Sequence, residues 1–96
     1  MEEKTFELFS FVQDISPIVQ IIRTTKPNLL KITVTLITED NQKVFMEIRN
    51  TNIKEIQREG IEVNSYVKVN YVFEGSEKGD MKYNNIIIKK IQLQKR

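Results

Sequence analysis

Residues 29–49 read LLKITVTLITEDNQKVFMEIR, and this stretch carries the clearest structural signal in the chain. Apolar and polar residues alternate over residues 29–38, which is typical of a half-buried β-strand. The polar run 39–42 predicts a turn, and the alternation resumes over residues 44–49, so the stretch predicts a β-hairpin. One face of this hairpin is apolar and contains Leu30, Ile32, Val34, Leu36, Val44, Met46 and Ile48. The other face carries Lys31, Thr33, Thr35, Phe45, Glu47 and Arg49.

The segment that follows the hairpin has a helical pattern. Asn52 and Glu55 have the spacing of a capping box, in which both side chains bind free amides of the first helical turn. Ile53 and Ile56 lie on one helical face, and Gly60 suits the C-terminal stop. We therefore predict a short helix over residues 52–59 that closes one end of the sheet through its two isoleucines.

Three further strands complete the pattern. Residues 63–74 alternate, residues 75–80 predict a turn-rich loop, and residues 81–93 predict the last strand. The triple isoleucine at 86–88 interrupts the alternation, which indicates a bulge or burial on both faces. Residues 6–15 are apolar on both faces and predict a long, bent first strand, followed by a return segment over residues 18–23 after Pro17.

The predicted order is strand, strand, strand, helix, strand, strand. A short helix between the third and fourth of five antiparallel strands is the arrangement of the oligonucleotide/oligosaccharide-binding (OB) barrel. We therefore predict an all-β fold with one short helix, a five-stranded OB barrel that forms a single domain over residues 1–96. Another small meander barrel and an open α+β sheet are the alternatives.

Composition argues against catalysis. Cysteine and histidine are both absent, which removes thiol nucleophiles, zinc sites and the usual general base. Glu39 and Asp40 are adjacent carboxylates, but neighbouring side chains in a turn diverge. No glycine-rich phosphate loop is present. We expect no enzymatic activity, no catalytic residue, no metal and no cofactor.

The chain also lacks the signals of export. Its start, Met-Glu-Glu-Lys, is acidic where a secretory leader is basic, and no run reaches the roughly 18 apolar residues of a membrane span. The absence of cysteine fits a reducing compartment. The sequence predicts a soluble, cytoplasmic protein with no membrane partner.

The second half of the chain resembles a family of small bacterial domains of unknown function, common in Bacteroidetes and regarded as OB-like. The matching residues are 72–75, Val-Phe-Glu-Gly, and 82–85, Lys-Tyr-Asn-Asn, together with the helix and Gly60. The family tends to carry tryptophans after the third strand, in the final loop and in the last strand, and this chain has none. The resemblance implies the OB fold and nucleic-acid binding, but no reaction.

OB barrels usually bind ligands across the second and third strands and the loops that flank them. On this chain we predict a single-stranded nucleic-acid site in which aromatic rings stack on bases and cations contact phosphates. Net charge is only +2, well below that of dedicated duplex binders, so stacking must contribute much of the affinity. The candidate residues are Arg23, Lys26, Lys31, Phe45, Arg49, Lys78, Lys82 and Tyr83.

Two alternatives stay open. Phe45 is exposed and available for stacking, or the N-terminal segment packs over it; Tyr83 stacks on a ligand, or it caps the core with its hydroxyl in water. Glu47 lies in the middle of the proposed face and repels phosphate. The second function hypothesis is a protein-interaction module, a small subunit or homo-oligomer that uses a barrel edge or the apolar first strand.

Overall fold

The computed structural model describes residues 4–95 of the chain. Six strands run in the order β1 (Phe6–Ile15), β2 (Val19–Ile21), β3 (Leu29–Ile37), β4 (Lys43–Arg49), β5 (Tyr66–Lys78) and β6 (Met81–Leu93). Between β4 and β5 lie a 3-10 turn, Asn50–Ile53, and a one-turn helix α1, Lys54–Arg58. Within the described residues no helix is long and apolar enough to cross a membrane.

The five long strands are hydrogen-bonded in a ring. Their order is β1-β5-β6-β4-β3, and β3 pairs back with β1, while the short β2 pairs with the outer edge of β3. The β4–β6 contact is a parallel bridge between Glu47 and Ile87, whereas the other pairings are antiparallel. The predicted order of long strands and helix is confirmed, and the predicted return segment contributes β2.

Strand β1 takes part in both halves of the ring because it bends. Its register with β3 shifts between Val12 and Asp14. The first half pairs with β5 from Phe6 to Phe11, and the second half pairs with β3 from Phe11 to Ile15. A bulge re-aims a strand in this way, and the long, bent first strand predicted from the sequence is confirmed.

The core lies inside the ring and is built from alternate residues of each strand. Its buried members are Val12, Ile32, Val34, Leu36, Met46, Ile48, Ile61, Val67, Val69, Ile88 and Ile91. Two assignments from the alternation are wrong. Leu30 is exposed and lines the apolar groove beside the helix, whereas the preceding Leu29 is buried. Thr35 is buried on the polar face of the hairpin, where β1 pairs beside it.

The helix closes the barrel as predicted but begins differently. Ile53 and Ile56 are half-buried and pack against the core. The predicted capping box is wrong: Asn52 lies inside the 3-10 turn, no side chain caps either helical segment, and the Glu55 carboxylate pairs with Arg58 instead. Gly60 ends the helix with φ of +67°, which favours glycine, so the predicted stop is confirmed.

The β5–β6 hairpin is longer than the sequence predicts. Residues 75–78 continue β5 rather than forming a loop, and the connection is a tight turn at Gly79 and Asp80. The loop prediction is wrong because both faces of this segment are in solvent, so its sequence does not alternate between apolar and polar residues as a half-buried strand does. At the other end β5 begins at Tyr66, and Val63 lies exposed in the preceding turn rather than on the inner face.

The last strand matches its predicted bounds. Ile87 and Ile88 are both buried although they point to opposite faces, and the β5–β6 register shifts between Asn70 and Tyr71. The triple isoleucine predicted either a bulge or burial on both faces, and the structure shows both.

Candidate functional site

The polar face of the β3–β4 hairpin is formed as predicted. Direct partners across the two strands are Lys31 with Arg49, Thr33 with Glu47, and Thr35 with Phe45. Partners that lie opposite each other on neighbouring strands point to the same side of a sheet. The six residues therefore share the outer surface of the barrel.

Phe45 is the outstanding side chain on this surface. Its exposed fraction is 61%, and it makes no ring contact with another aromatic residue in the part of the chain that the structure describes. The N-terminal strand does not cover it, because β1 pairs with β3 and β5. The alternative that Phe45 is packed under the N-terminal segment is therefore wrong for the described residues.

Glu47 is held between two cations. One of its carboxylate oxygens, Oε1, lies 3.2 Å from Nε of Arg49 and 3.6 Å from Nζ of Lys31. The guanidinium of Arg49 also donates to both carboxylate oxygens of Glu74, at 3.1 and 3.3 Å. These four side chains carry two positive and two negative charges, so the middle of the face is neutral.

The carboxylates also determine the protonation of Arg49. Burial of the guanidinium alone lowers its pKa, but the hydrogen bonds and charge attraction from Glu47 and Glu74 outweigh burial and raise the pKa above its ordinary value. The charge of Arg49 is thus already paired with two carboxylates, and that of Lys31 with one. The prediction that these two cations contact phosphate stays a prediction, and such a contact would compete with Glu47 and Glu74.

A cavity of about 240 Å³ opens beside Phe45, between the hairpin and β6. Its lining combines one exposed aromatic ring with five polar residues and two apolar ones: Lys31, Thr33, Phe45, Met46, Glu47, Asn84, Asn85 and Ile86. A second concavity on the β5–β6 hairpin contains Lys82 and Tyr83 and shares Asn84 with the first. The two concavities are therefore adjacent.

The remaining candidate residues are dispersed. Lys78 is exposed beside the turn of the β5–β6 hairpin. Arg23 and Lys26 lie in the β2–β3 loop and line neither concavity, and the guanidinium of Arg23 is occupied by the carbonyl of Pro27, at 2.6 and 2.8 Å. The structure thus brings together Lys31, Phe45, Arg49, Lys82 and Tyr83, but leaves Arg23 and Lys26 apart from both concavities.

Tyr83 is exposed at 43% and does not cap the core. Its hydroxyl lies 3.3 Å from the sulfur of Met81, two residues earlier on the same strand. Since side chains alternate along β6, Tyr83 and Asn85 share the face of Ile87, which pairs with Glu47. Tyr83 is thus on the side of β6 that continues the Phe45 surface.

Sequence reasoning missed Glu74, Asn84 and Asn85 as members of the site. The asparagines were a detectable signal, because asparagine is depleted in strands and two occur in succession inside β6. Glu74 carries no such signal, since its contact with Arg49 joins residues 25 positions apart.

Apolar surface is concentrated elsewhere, at the end of the barrel near α1. A groove of about 510 Å³ lies among Ile15, Pro17, Ile18, Leu30, Ile53 and Ile56, with Lys54 and a few polar side chains at its rim. Next to it, Val19 and the neighbouring Ile22 are exposed on or beside the edge strand β2. This surface is distinct from the Phe45 concavity.

Comparison with known proteins identifies the fold. No family model matches the chain, and no curated protein matches it in sequence. The mitochondrial single-stranded DNA-binding protein Rim1 of S. cerevisiae, in its crystal form 1, superposes with a TM-score of 0.63 at 12% identity, covering 98% of both chains. The fold is an OB fold. The selenomethionine-labelled form 2 of Rim1 gives a TM-score of 0.52 at 19% identity, over 99% of this chain and 98% of that one.

The OB-fold likeness extends over nearly the whole chain. At these identities the likeness concerns the fold. The resemblance to a Bacteroidetes-type family has no matching family model behind it.

Proposed function

We propose that this OB domain binds single-stranded nucleic acid across the surface that carries Phe45. The observation that carries the proposal is the exposed phenyl ring at the edge of a polar cavity, on the strands that OB barrels use for ligands. Stacking of a nucleobase on such a ring contributes about 1–3 kcal/mol per base.

The geometry favours single strands over duplexes. A base reaches Phe45 only when its own face is free, and in a duplex both faces are stacked on neighbours. The solved structures of similar fold are named single-stranded DNA-binding proteins, which supports the same ligand class.

Phosphate contacts in this proposal come from the rim rather than the centre. Lys78 and Lys82 are exposed on the β5–β6 hairpin, whereas Lys31 and Arg49 are paired with carboxylates. Tyr83 offers a second ring beside Lys82. Lys78 pairs with Met81 and so lies on the same face as Tyr83, whereas Lys82 follows the other face of the hairpin. A strand that runs from Phe45 along the Tyr83 face therefore meets both aromatic side chains and Lys78, with Lys82 at its edge.

The test is fluorescence anisotropy with labelled single-stranded DNA, single-stranded RNA and duplex DNA, each at two salt concentrations. We expect binding to one or both single strands and much weaker binding to the duplex. Equal binding to duplex and single strands contradicts a stacking site, and no binding to any oligonucleotide at low salt overturns the proposal.

We further propose that the domain acts as a binding module without catalysis or cofactor, because the sequence contains neither histidine nor cysteine. We also propose that it works in the cytoplasm, a reducing compartment that the absence of cysteine fits. The resemblance of residues 72–75 and 82–85 to the small bacterial OB-like family stays a prediction of the same kind.

A second candidate function is protein binding at the apolar groove. The observation that favours it is the run of exposed apolar side chains on and beside the edge strand β2, with Ile18 and Ile22 more than half exposed, adjoining the groove. A partner segment that adds to β2 in extended form could satisfy its edge and place apolar side chains in the groove. Replacing Ile18 and Ile22 by Ser should abolish such an interaction, measured by sedimentation, without altering oligonucleotide binding.

A further inference from the structure

The cavity beside Phe45 contains hydrogen-bonding atoms that the fold leaves open. The second carboxylate oxygen of Glu47, Oε2, has no hydrogen-bond partner in the described part of the chain, because its contacts with Arg49 and Lys31 are made by Oε1. The side-chain amides of Asn84 and Asn85 likewise lack a hydrogen bond to any described residue, and both line the cavity. Open polar atoms next to an exposed ring are the elements of a site that reads the edge of a flat, polar ligand.

From this arrangement we infer that the cavity receives one nucleobase and selects bases that carry an exocyclic amino group over thymine and uracil. The inference rests on the proposed function and adds to it a base preference at a named position. The volume of the cavity, about 240 Å³, is below the range of roughly 300–1,000 Å³ that holds drug-sized ligands. A cavity of this size suits a single planar ring stacked on Phe45.

Glu47 is the residue that distinguishes bases with an exocyclic amino group from thymine and uracil. A carboxylate only accepts hydrogen bonds, and the amino group of cytosine or adenine donates them. Thymine and uracil present a carbonyl oxygen where cytosine presents its amino group, so the same carboxylate meets an acceptor and repels it. The exposed fraction of the Glu47 side chain is 13%, and partial burial strengthens both the attraction and the repulsion.

Asn84 and Asn85 complete the edge. An amide carries both donors and acceptors, so Asn85, which lies on the same face of β6 as Ile87, the partner of Glu47, can meet the ring nitrogen and carbonyl that lie beside the amino group. Asn85 is half-buried, whereas Asn84 is exposed and follows the opposite face of the strand, where it lies at the rim of the cavity.

The distribution of charge also orients the strand. The two cations beside the cavity, Lys31 and Arg49, are paired with Glu47, so the cavity attracts a phosphate less than an unpaired lysine does. The exposed lysines, Lys78 and Lys82, lie on the adjoining hairpin. The base therefore enters the cavity and the backbone stays on the hairpin side. Glu47, which counts against a phosphate site, becomes part of a base site.

The experiment compares oligo-dC with oligo-dT of equal length in slightly alkaline buffer, where cytosine is unprotonated. The two pyrimidines have the same ring size and similar stacking area, so the ratio of their affinities measures the hydrogen bonds made to the polar edge of the base. We expect dC to bind about tenfold more tightly than dT, as befits a hydrogen bond to a charged acceptor gained by one base and denied to the other. Equal affinities overturn the base preference and leave single-strand binding intact; no binding to either oligonucleotide overturns the proposed function and the inference with it.

Two matched variants assign the preference to the cavity. Glu47→Gln and Glu74→Gln each remove one carboxylate from Arg49 and raise the net charge by one, but only Glu47 lines the cavity. Glu47→Gln should bring the dC-to-dT ratio close to one, because glutamine both donates and accepts. Glu74→Gln should keep the ratio while changing affinity for both oligonucleotides alike. A ratio that changes equally in both variants contradicts the inference.

A third variant keeps the ion pairs intact in case Glu47→Gln impairs folding. The double substitution Asn84→Ala and Asn85→Ala removes the open amides and leaves Lys31, Glu47 and Arg49 unchanged. It should weaken dC binding severalfold more than dT binding. An equal loss for both oligonucleotides means that the amides do not read the base and overturns their assignment.

Discussion

Phe45 and Glu47 lie on the same strand face, two residues apart, and their environments differ sharply. The phenyl ring is exposed and without an aromatic neighbour among the described residues, whereas the carboxylate is half-buried between two cations. Surface ion pairs contribute little to stability, about 0–1 kcal/mol. The network around Glu47 therefore serves mainly to hold side chains in position beside the ring.

Replacing Phe45 with Ala should separate binding from stability. Because the side chain is exposed, the free energy of unfolding should change by less than about 0.5 kcal/mol. Affinity for single-stranded DNA should fall by about 1–3 kcal/mol, the contribution of one stacked base. Denaturant unfolding and anisotropy measure the two quantities on the same sample.

The control for this change is Phe9→Ala. Phe9 is exposed at 41% but lies on β1, where it stacks on Tyr66 with ring centroids 6.2 Å apart. Loss of that contact should reduce stability slightly and leave DNA affinity unchanged. Equal losses of affinity in the two variants argue that binding is not centred on Phe45.

Ser10 offers a residue-scale prediction about stability. It is fully buried in β1, and its hydroxyl has no hydrogen-bond partner among the described residues. An unpaired buried hydroxyl costs about 1–3 kcal/mol, so Ser10→Ala should leave stability unchanged or raise it by about 1 kcal/mol. A loss above 1 kcal/mol in the melting curve would show that the hydroxyl is satisfied by a bound water.

At the scale of elements, α1 acts as a plug and not as an independent helix. It spans one turn, lacks a side-chain cap, and is held by the packing of Ile53 and Ile56 on the core. A helix this short has no stability of its own in water. Its position depends on the Gly60 stop and on the backbone bond from the amide of Ile61 to the carbonyl of Ile56, 2.9 Å.

Ile56→Ala should destabilise the domain by about 1–3 kcal/mol, the lower part of the range for core isoleucine, because the side chain is only half-buried. The neighbouring Gln57→Ala is the control, since Gln57 is exposed and should change stability by less than about 0.5 kcal/mol. Urea unfolding compares them, and equal midpoints would mean that α1 does not pack on the core.

At the scale of the whole molecule, the β5–β6 hairpin makes the domain elongated. The Cα radius of gyration is 13.9 Å, compared with about 12.5 Å for a compact domain of this length. The exposed half of the hairpin, residues 75–83, extends the OB barrel without adding to its core. Two of the lysines that we assign to phosphate contacts lie there.

Shortening this arm should cost binding but not folding. Deleting Glu77, Lys78, Met81 and Lys82 places the existing turn at Gly79 and Asp80 between Ser76 and Tyr83. The register of the hairpin is preserved, because the deletion removes two complete cross-strand pairs, Glu77 with Lys82 and Lys78 with Met81. All four residues are exposed, so the melting temperature should change little, while DNA affinity falls. The double substitution of Lys78 and Lys82 by Gln separates the loss of charge from the loss of length. If the shortened protein binds with full affinity, the arm has no part in the site.

The salt dependence of binding is also a property of the whole molecule. With a net charge of +2 and the central cations paired, the slope of affinity against salt should correspond to about two to four phosphates, not the six to ten of strong duplex binders. Anisotropy titrations over a salt series measure it. A steep slope would place the contacts on the lysines and not on the rings.

The sequence by itself determined the strands whose two faces differ in environment. The hairpin of β3 and β4, the position of Phe45 on the face away from Met46, and the Gly60 stop all follow from alternation and backbone chemistry, which are local. That Phe45 is exposed on this face was shown only by the structure. Alternation was misleading where a strand does not have one buried face and one face in solvent. At residues 75–78 both faces are in solvent, and at the start of β3 the buried residue is Leu29 and not Leu30, so neither position follows the expected division between buried and exposed faces.

Only the tertiary structure decided how the site is assembled. The pairing of Glu47 with Lys31 and Arg49 is visible on one hairpin, but the approach of Glu74, Asn84 and Asn85 requires β5 and β6 to close the ring. Ring closure joins residues far apart in the chain, and no local pattern records which side chain will meet which. For the same reason the sequence does not show that Lys31 and Arg49 are paired with carboxylates, whereas the folded OB barrel pairs them and leaves an acceptor beside the ring.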